Sequence, residues 1–299
     1  MKNNYQCVII GSGVAGMTAA LYLKRLNIEV LVIEENIPGG QIVNTSVIEN
    51  YPGFQKIDGA TLASNIYSQL TNIEIPYSYS KVIRIENSQT KKTIITNNGN
   101  FTCDTIIIAT GRQPKKLGLK NEDKLIGHGL SYCAICDGML YKNQNVAVVG
   151  GGNSAFEESL YLASICSKVT ILIRKDKAIA DPILIDKVRK LENVEIMYNV
   201  EVKELCENNN QLTKIKLNNQ EELEISGLFI FIGLQPKLEF LIDSNIKIID
   251  NYIEVDEKMQ TNIENIYACG DVIKKDVYQI TTAVGEATVA AINVSKKLK

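Results

Sequence analysis

Two cysteines and an aspartate, Cys133, Cys136 and Asp137, are the residues whose spacing points most directly to chemistry. A C-x-x-C pair lowers the pKa of one sulfur below its ordinary value of about 8.5, which makes a nucleophilic thiolate available. Exchange with a partner disulfide passes through a mixed disulfide, so one sulfur must be accessible and the other must resolve it. Asp137, next to Cys136, can return a proton to the leaving thiolate; the same residue before Gly138 also suits a polar turn. Zinc is the competing chemistry for such a pair, but it needs about four ligands. The sequence holds no second C-x-x-C and a single histidine, His128, set between two loop glycines, so no metal is expected. Cys7, Cys103, Cys166, Cys206 and Cys269 lie mostly in apolar runs and read as inert core residues.

Two glycine-rich loops flank the dithiol. Val8-Ile9-Ile10 leads into Gly11, Ser12, Gly13, Val14, Ala15 and Gly16; Val146 to Val149 leads into Gly150, Gly151, Gly152, Asn153, Ser154 and Ala155. Each is a β-branched run, a G-x-G-x-x-G/A loop and a helical stretch, Met17–Leu26 in the first and Phe156–Ser164 in the second. Second strands follow at Glu29–Ile33 and Lys168–Ile173, making βαβ twice. In such a loop the first glycine makes a tight turn and the second lets the backbone approach a pyrophosphate. The third allows the helix to pack closely on the strand, and the helix N-terminus offers free N–H groups. Glu34 ends the second strand of the first unit, about twenty residues on, where an acid holds ribose hydroxyls. The second unit has Ile173 there, followed by Arg174 and Lys175. A missing carboxylate with cations beside it suits a ribose 2′-phosphate, hence NADPH over NADH; an ordinary solvated basic turn is the plainer reading. A dithiol between two such loops reads as one fed by a flavin, itself reduced by a nicotinamide.

The elements that must position these groups follow from a second internal echo. Thr105 to Lys115 and Leu228 to Lys237 are both buried-strand runs that end at glycine, with Gln-Pro just beyond (Gln113-Pro114 and Gln235-Pro236). Proline cannot continue a ladder, so each marks a chain exit from a sheet. The fold class expected is α/β: two Rossmann-like, three-layered dinucleotide-binding domains. The first is discontinuous, residues 1–113 and 240–299; the second, residues 114–239, is inserted and carries the C-x-x-C. Lys81–Phe101, with its turn at Asn97–Asn100, reads as a small antiparallel hairpin or meander, and Glu201–Ile225 as its counterpart.

With 299 residues, two domains of common size are the prior. Hydrophobic content of 45%, charged content of 22% and net charge −2 are ordinary for a soluble globular protein and argue against a nucleic-acid partner. No apolar run approaches the roughly 18 residues of a membrane span. Met1 to Gln6 leads straight into a strand-like run, leaving no room for a signal peptide, and the odd, scattered cysteines do not form a secreted disulfide framework. A cytoplasmic location is expected.

Along nearly its whole length the sequence resembles the low-molecular-weight flavoprotein thioredoxin reductases. The matching segments are Gly11–Gly16, Pro38-Gly39-Gly40-Gln41, Glu49–Phe54, Ala109-Thr110-Gly111, Ser131–Gly138, Gly150–Glu158 and Ala268-Cys269-Gly270-Asp271-Val272. The resemblance implies FAD on the first domain. Its contacts would be the Gly11–Gly16 loop, Glu34 and Glu35, Gly40, Gln41, Asn50, Ala109, Thr110, Gly111, Gly270, Asp271 and Gln279. It implies NADPH on the second domain, at Gly150, Gly152, Asn153, Ser154, Ala155, Arg174 and Lys175. By the same resemblance Cys136 is the flavin-proximal sulfur, Cys133 attacks the disulfide of thioredoxin or a thioredoxin-like protein, and Asp137 is the acid. A homodimer and a domain rotation about the two Gln-Pro crossings are also implied. The sequence departs from the family in two places. A His-Arg-Arg reader with a further Arg downstream is here Ile173-Arg174-Lys175 with Ile179, and the Arg-Gln of the C-terminal helix is Tyr278-Gln279. Tyrosine at that position also occurs in relatives that look ferredoxin-fed, so NADH and reduced ferredoxin are the alternative donors to NADPH. A flavin-loaded, non-enzymatic redox sensor is a third reading.

Overall fold

The computed structural model describes residues 2–45, 47–88 and 91–299. The chain folds as two compact units, Met1–Gln113 with Gln235–Lys299, and Pro114–Leu234. The second crossing falls at Leu234–Gln235, five residues before the boundary read from the sequence, within the short strand that ends at the Gln235-Pro236 exit.

The chain enters as β1 (Asn4–Ile10), α1 (Val14–Arg25) and β2 (Val30–Glu34), with β1 and β2 parallel from Cys7↔Val30 to Ile10↔Ile33. Helix α1 begins three residues earlier than the pattern suggested, so Gly16 lies inside its first turns. After α2 (Gly59–Asn72), capped by Asp58 accepting from the Thr61 N–H, β3 (Tyr77–Tyr79) extends the parallel sheet. The meander follows as β4 (Val82–Asn87), β5 (Lys92–Thr96) and β6 (Gly99–Ile108), antiparallel throughout. Gln89 and Thr90, within the span read as a hairpin, lie outside the described residues. Strand β6 is long enough to close the meander with its first half and pair parallel with β1 through its second.

The chain leaves through β7 (Gln113–Pro114). The second unit runs α3 (Glu122–Leu125), β8 (Leu130–Ser131), α4 (Ala134–Asp137), β9 (Asn145–Val149), α5 (Asn153–Ala163), β10 (Lys168–Ile173), α6 (Pro182–Arg189) and β11 (Val194–Tyr198). Then come the antiparallel β12 (Val202–Asn208), β13 (Gln211–Leu217) and β14 (Glu222–Glu224), and finally β15 (Gly227–Ile230) and the exit strand β16 (Leu234–Gln235). Its main sheet is parallel, in the order β11-β10-β9-β15-β8. The chain returns to the first unit with β17 (Ile248–Ile249), β18 (Tyr252–Ile253), β19 (Ile266–Ala268), which pairs parallel with β6, and α7 (Ile280–Leu298).

Each unit is three-layered because its parallel strands are apolar on both faces. In the first, Cys7, Ile9, Val30, Val32 and Ile107 pack under α1 and α7, whose contributions are Met17, Leu23, Ala287, Ala290, Ala291 and Val294. The alternate residues Val8, Ile10, Leu31, Ile33, Ile106 and Ile108 pack beneath the meander against Ile85, Ile94 and Phe101. The second unit repeats this: Val146, Val148, Ile171 and Phe229 meet Phe156 and Leu162 of α5, while Ala147, Leu172 and Leu228 meet Leu205, Ile215 and Leu217 of its own meander. Each such side chain, fully buried, contributes about 1.5–3 kcal/mol. These rigid layers hold the loops at the carboxyl ends of the strands, where open parallel sheets bind ligands.

Candidate functional site

The first loop is built around backbone contact. A Cβ on Gly11 would overlap the Ala109 carbonyl, and one on Gly16 would overlap the carbonyl of Gly11. The Gly39–Gly40 segment closes the other side: Gly39 N–H donates to Ser12 O at 2.7 Å, and a Cβ on Gly40 would lie 3.0 Å from the Gly13 Cα. Gly13 is the N-cap of α1 and provides no side-chain cap, leaving the first-turn N–H groups available to an anion. Glu34 is held by two backbone donors, Ser12 N–H at 2.6 Å and Asn36 N–H at 2.9 Å. Ser12 is buried, with its hydroxyl 3.1 Å from Tyr77 Oη. Glu35 pairs instead with Lys237 at 2.9 Å. Ala109, Thr110 and Gly111 continue β6 alongside the loop, and Thr110 Oγ1 is buried without a hydrogen-bond partner. Buried hydroxyls are rarely left so. A glycine cradle, a helix N-terminus without a side-chain cap and a buried hydroxyl without a partner, on the segments that follow β1 and β6, fit an FAD.

Residues far apart in sequence complete this surface. Gly270 sits so close to α1 that a Cβ there would come 2.8 Å from that of Ala15, which brings Asp271 beside the loop. Arg112 donates to Asp271 Oδ2 through Nε at 3.2 Å and Nη2 at 2.8 Å, and its guanidinium carbon lies 4.0 Å from the centre of the Tyr278 ring. Lys275 Nζ is 3.6 Å from Asp271 Oδ1 and 2.8 Å from Glu286, which also accepts the Gly270 N–H at 2.9 Å. Burial pushes the Glu286 carboxyl up, opposed by Lys275. Burial first, then a hydrogen bond with Tyr252, pushes the Tyr278 phenol up to about 12, so a neutral ring faces the guanidinium. Gln41 donates to the Arg112 carbonyl at 3.0 Å, and Asn50 donates to Gln279 at 3.2 Å. The expected flavin-side residues Gln41, Asn50, Asp271 and Gln279 are thus joined in one network. Arg112, its hub, was missed: it follows the Ala109-Thr110-Gly111 motif directly, but nothing local reveals its partner.

The second loop repeats the first. A Cβ on Gly150 would overlap the Phe231 carbonyl, Gly152 caps α5 without a side chain, and no atom crowds a Cβ there. Ala155 is buried against this turn and Ser154 is exposed. The Asn153 side chain is committed to the start of α6, donating to Asp181 Oδ2 and accepting the Asp181 N–H, each at 2.8 Å. Ile173 points into the core at 3% exposure. Arg174 and Lys175 lie in the solvent-exposed turn beyond it. Ile179 is 71% exposed, its N–H donating to the Gly151 carbonyl at 2.8 Å. Glu201, drawn below its usual range first by Lys203 and also by Arg174, faces that turn.

Cys133 and Cys136 form a disulfide with Cα atoms 5.4 Å apart. Cys133, half-buried, is the N-cap of α4, its sulfur accepting the Cys136 N–H at 3.2 Å; Cys136 is exposed. Ser131 joins the pair to Asp137: its hydroxyl donates to Asp137 Oδ2 at 2.6 Å and accepts the Cys133 N–H at 3.0 Å. Met139 and Leu140, just beyond, are 56% and 68% exposed. Cys7, Cys103, Cys166 and Cys269 are buried, and burial pushes the thiol of Cys7 up to about 12 and that of Cys166 to about 11. Cys206 is half-buried. His128 lies in a loop with Nδ1 3.1 Å from Gln211. Among the described residues no cluster of His, Cys, Asp or Glu could hold a metal ion, and no helix is long and apolar enough to cross a membrane.

Comparison with known proteins agrees with this geometry. Residues 5–287 match the pyridine nucleotide-disulphide oxidoreductase family. A thioredoxin reductase of Listeria innocua is 40% identical over 297 residues, 98% of this chain and 93% of its own. The crystal structure of Lactococcus lactis thioredoxin reductase superposes with a TM-score of 0.87 at 39% identity, covering 98% of this chain and 99% of that one. A ferredoxin-flavin thioredoxin reductase from Clostridium acetobutylicum is 34% identical with a TM-score of 0.56, covering 99% and 98%. The chain therefore belongs to the pyridine nucleotide-disulphide oxidoreductases, among their low-molecular-weight thioredoxin reductases.

Proposed function

We propose that this protein passes electrons from NADPH through FAD to the Cys133–Cys136 pair and on to the disulfide of thioredoxin or a thioredoxin-like protein. The observation that carries this reading is a formed Cys133–Cys136 disulfide in the same compact unit as the second dinucleotide loop. When bound, FAD supplies a two-electron relay between nicotinamide and disulfide. The first unit, residues 1–113 with the returning tail, would be the FAD domain: α1 N–H groups would hold the pyrophosphate, Glu34 the ribose and Asp271 the ribityl hydroxyls. The inserted unit is the nicotinamide domain.

The dithiol then works as follows. The Cys133 thiolate attacks one sulfur of the partner disulfide, forming a mixed disulfide and expelling the second partner sulfur, which takes a proton from Asp137. The Cys136 thiol gives its proton to Asp137, replacing the one donated, as its sulfur attacks Cys133 Sγ. This restores the internal disulfide and releases the other partner sulfur as a thiolate that takes up from water the proton Cys133 lost on ionising. The partner gains two electrons and two protons, and the pair loses them. Ser131 keeps Asp137 within reach of this exchange by its short hydrogen bond. Exposed Met139 and Leu140 give the partner an apolar edge to meet. A homodimer in the cytoplasm, with no membrane or nucleic-acid partner, accompanies this reading.

The donor has a second reading. Ile173 in the core and Ile179 on the surface leave Arg174 and Lys175 as the cations at the expected 2′-phosphate position, and a ferredoxin-flavin enzyme is among the relatives. Anaerobic flavin reduction with NADPH, NADH and reduced ferredoxin in parallel separates these donors, with NADPH expected to be fastest. Cys136→Ser should lose thioredoxin reduction while keeping electron transfer to artificial acceptors. Colourless protein that takes up no FAD, or full thioredoxin reduction by that variant, overturns the proposal.

A further inference from the structure

The second unit contains a buried carboxylate that the reaction above does not use. Glu122 is 3% exposed, yet all of its visible partners are donors. Its Oε1 accepts the Leu117 N–H at 2.8 Å and the Tyr132 hydroxyl at 2.7 Å. Its Oε2 accepts the Gly118 N–H at 2.7 Å and the Leu119 N–H at 3.2 Å. Gly118 and Asn121, both in the left-handed region at φ +75° and 66°, curl residues 117–121 so that three successive N–H groups converge on this side chain. A buried carboxylate needs such saturation. The fourth donor is not part of the loop. It comes from Tyr132, the residue immediately before Cys133. Burial first, and then the hydrogen bond to Glu122, push the Tyr132 phenol above its ordinary range, so it remains a donor.

Tyr132 is thereby tied at its ring while its neighbours are tied at the main chain. Ser131, 3% exposed, accepts the Cys133 N–H, and Cys133 in turn caps α4. The sulfur-bearing segment is fixed from both sides, with its conformation set by a loop that holds no sulfur. We infer that Glu122, acting through the Tyr132 hydroxyl, is a positioning residue for the dithiol: it holds Cys133 in the backbone conformation that closes the ring with Cys136, and so sets the balance between disulfide and dithiol. Preorganisation of this kind raises the effective concentration of one thiol at the other. The inference rests on the dithiol reading of the previous section and adds to it the residues that tune the pair.

The test uses the full chain equilibrated against mixtures of reduced and oxidised dithiothreitol, where two electrons and two protons pass between the reagent and the protein pair. The pair's state is trapped by thiol alkylation, and the rate of Cys133 alkylation is followed against pH. Tyr132→Phe removes one hydroxyl and keeps the ring. It should move the equilibrium toward the dithiol by about threefold or more, the effect of part of one charge-assisted hydrogen bond, and change the alkylation profile. Glu122→Gln should move both in the same direction, and Tyr22→Phe, which removes a phenol from α1, should move neither. Equilibria for Tyr132→Phe and Glu122→Gln within error of the unaltered protein would overturn the inference, leaving Glu122 as a fastener of its own loop. A pair that fails to cycle in the unaltered protein would instead sink the dithiol reading, and this inference with it.

Discussion

Arg112→Met would remove the cation at the centre of the network around Asp271 while keeping most of the side chain's length. Two N–H groups of Arg112 reach one oxygen of Asp271, and the paired side chains are only 18% and 25% exposed. A hydrogen bond to a charged group contributes about 1.5–3 kcal/mol, and the guanidinium over Tyr278 adds about 0.5–1 kcal/mol at a partly exposed site. Lys275 stays 3.6 Å from the other Asp271 oxygen and offsets part of the loss. A net cost of about 2 kcal/mol is expected. A double-mutant cycle isolates the pair: Arg112→Met, Asp271→Asn and the double variant, compared by denaturant unfolding of flavin-free protein and by FAD titration through flavin fluorescence. Coupling of about 1 kcal/mol or more is expected in unfolding, with weaker FAD binding in each single variant. Arg112→Lys should fall between, since an ammonium cannot stack on the ring and reach the carboxylate as a planar guanidinium does. A coupling energy within about 0.5 kcal/mol of zero, the scatter of independent sites, would show that the ion pair is incidental.

Three further outcomes follow from particular contacts. Gly16→Ala places a methyl on the Gly11 carbonyl; overpacking of this kind costs about 1–3 kcal/mol, so FAD affinity should fall about tenfold or more, and unchanged affinity would mean that the loop yields freely. Glu158 is raised from 4.5 to about 7, first by burial and then by Glu157, and its Oε2 has no hydrogen-bond partner. Because the folded state prefers the protonated form, its stabilising contribution is complete below pH 4.5 and is lost as pH rises through about 7. Allowing for partial exposure, that is about 1–2 kcal/mol, and Glu158→Gln should flatten this part of the urea-midpoint profile between pH 4.5 and 8. Arg174→Ala should lower kcat/KM for NADPH about tenfold, the low end for an exposed charge-assisted contact, and leave NADH unchanged; equal values for NADPH before and after would make Arg174 a solvated surface cation.

Much of this molecule is local in its logic, and that part was legible in the residues alone. A β-branched run followed by glycines at fixed spacing can do little but turn tightly into a helix, so the tight turns of both glycine-rich loops, Glu34 at a strand end, the Gln-Pro exits and the Cys133–Cys136 pair could be read directly. Helix starts were less legible: α1 begins at Val14 and α5 at Asn153 because the fingerprint residues are themselves the first helical turn. What only the tertiary structure decided is which polar groups meet across long stretches of chain. Arg112 finds Asp271 and Tyr278 because β6 and β19 are neighbours in one sheet. Asn153 is taken by Asp181, Ile173 turns inward, and Glu122 is wrapped by its own loop and by Tyr132. Composition and spacing carry backbone preference and hydrophobic period. They do not carry the partner of a charged side chain, because that partner is chosen by layer packing, which sets distance without regard to separation along the sequence.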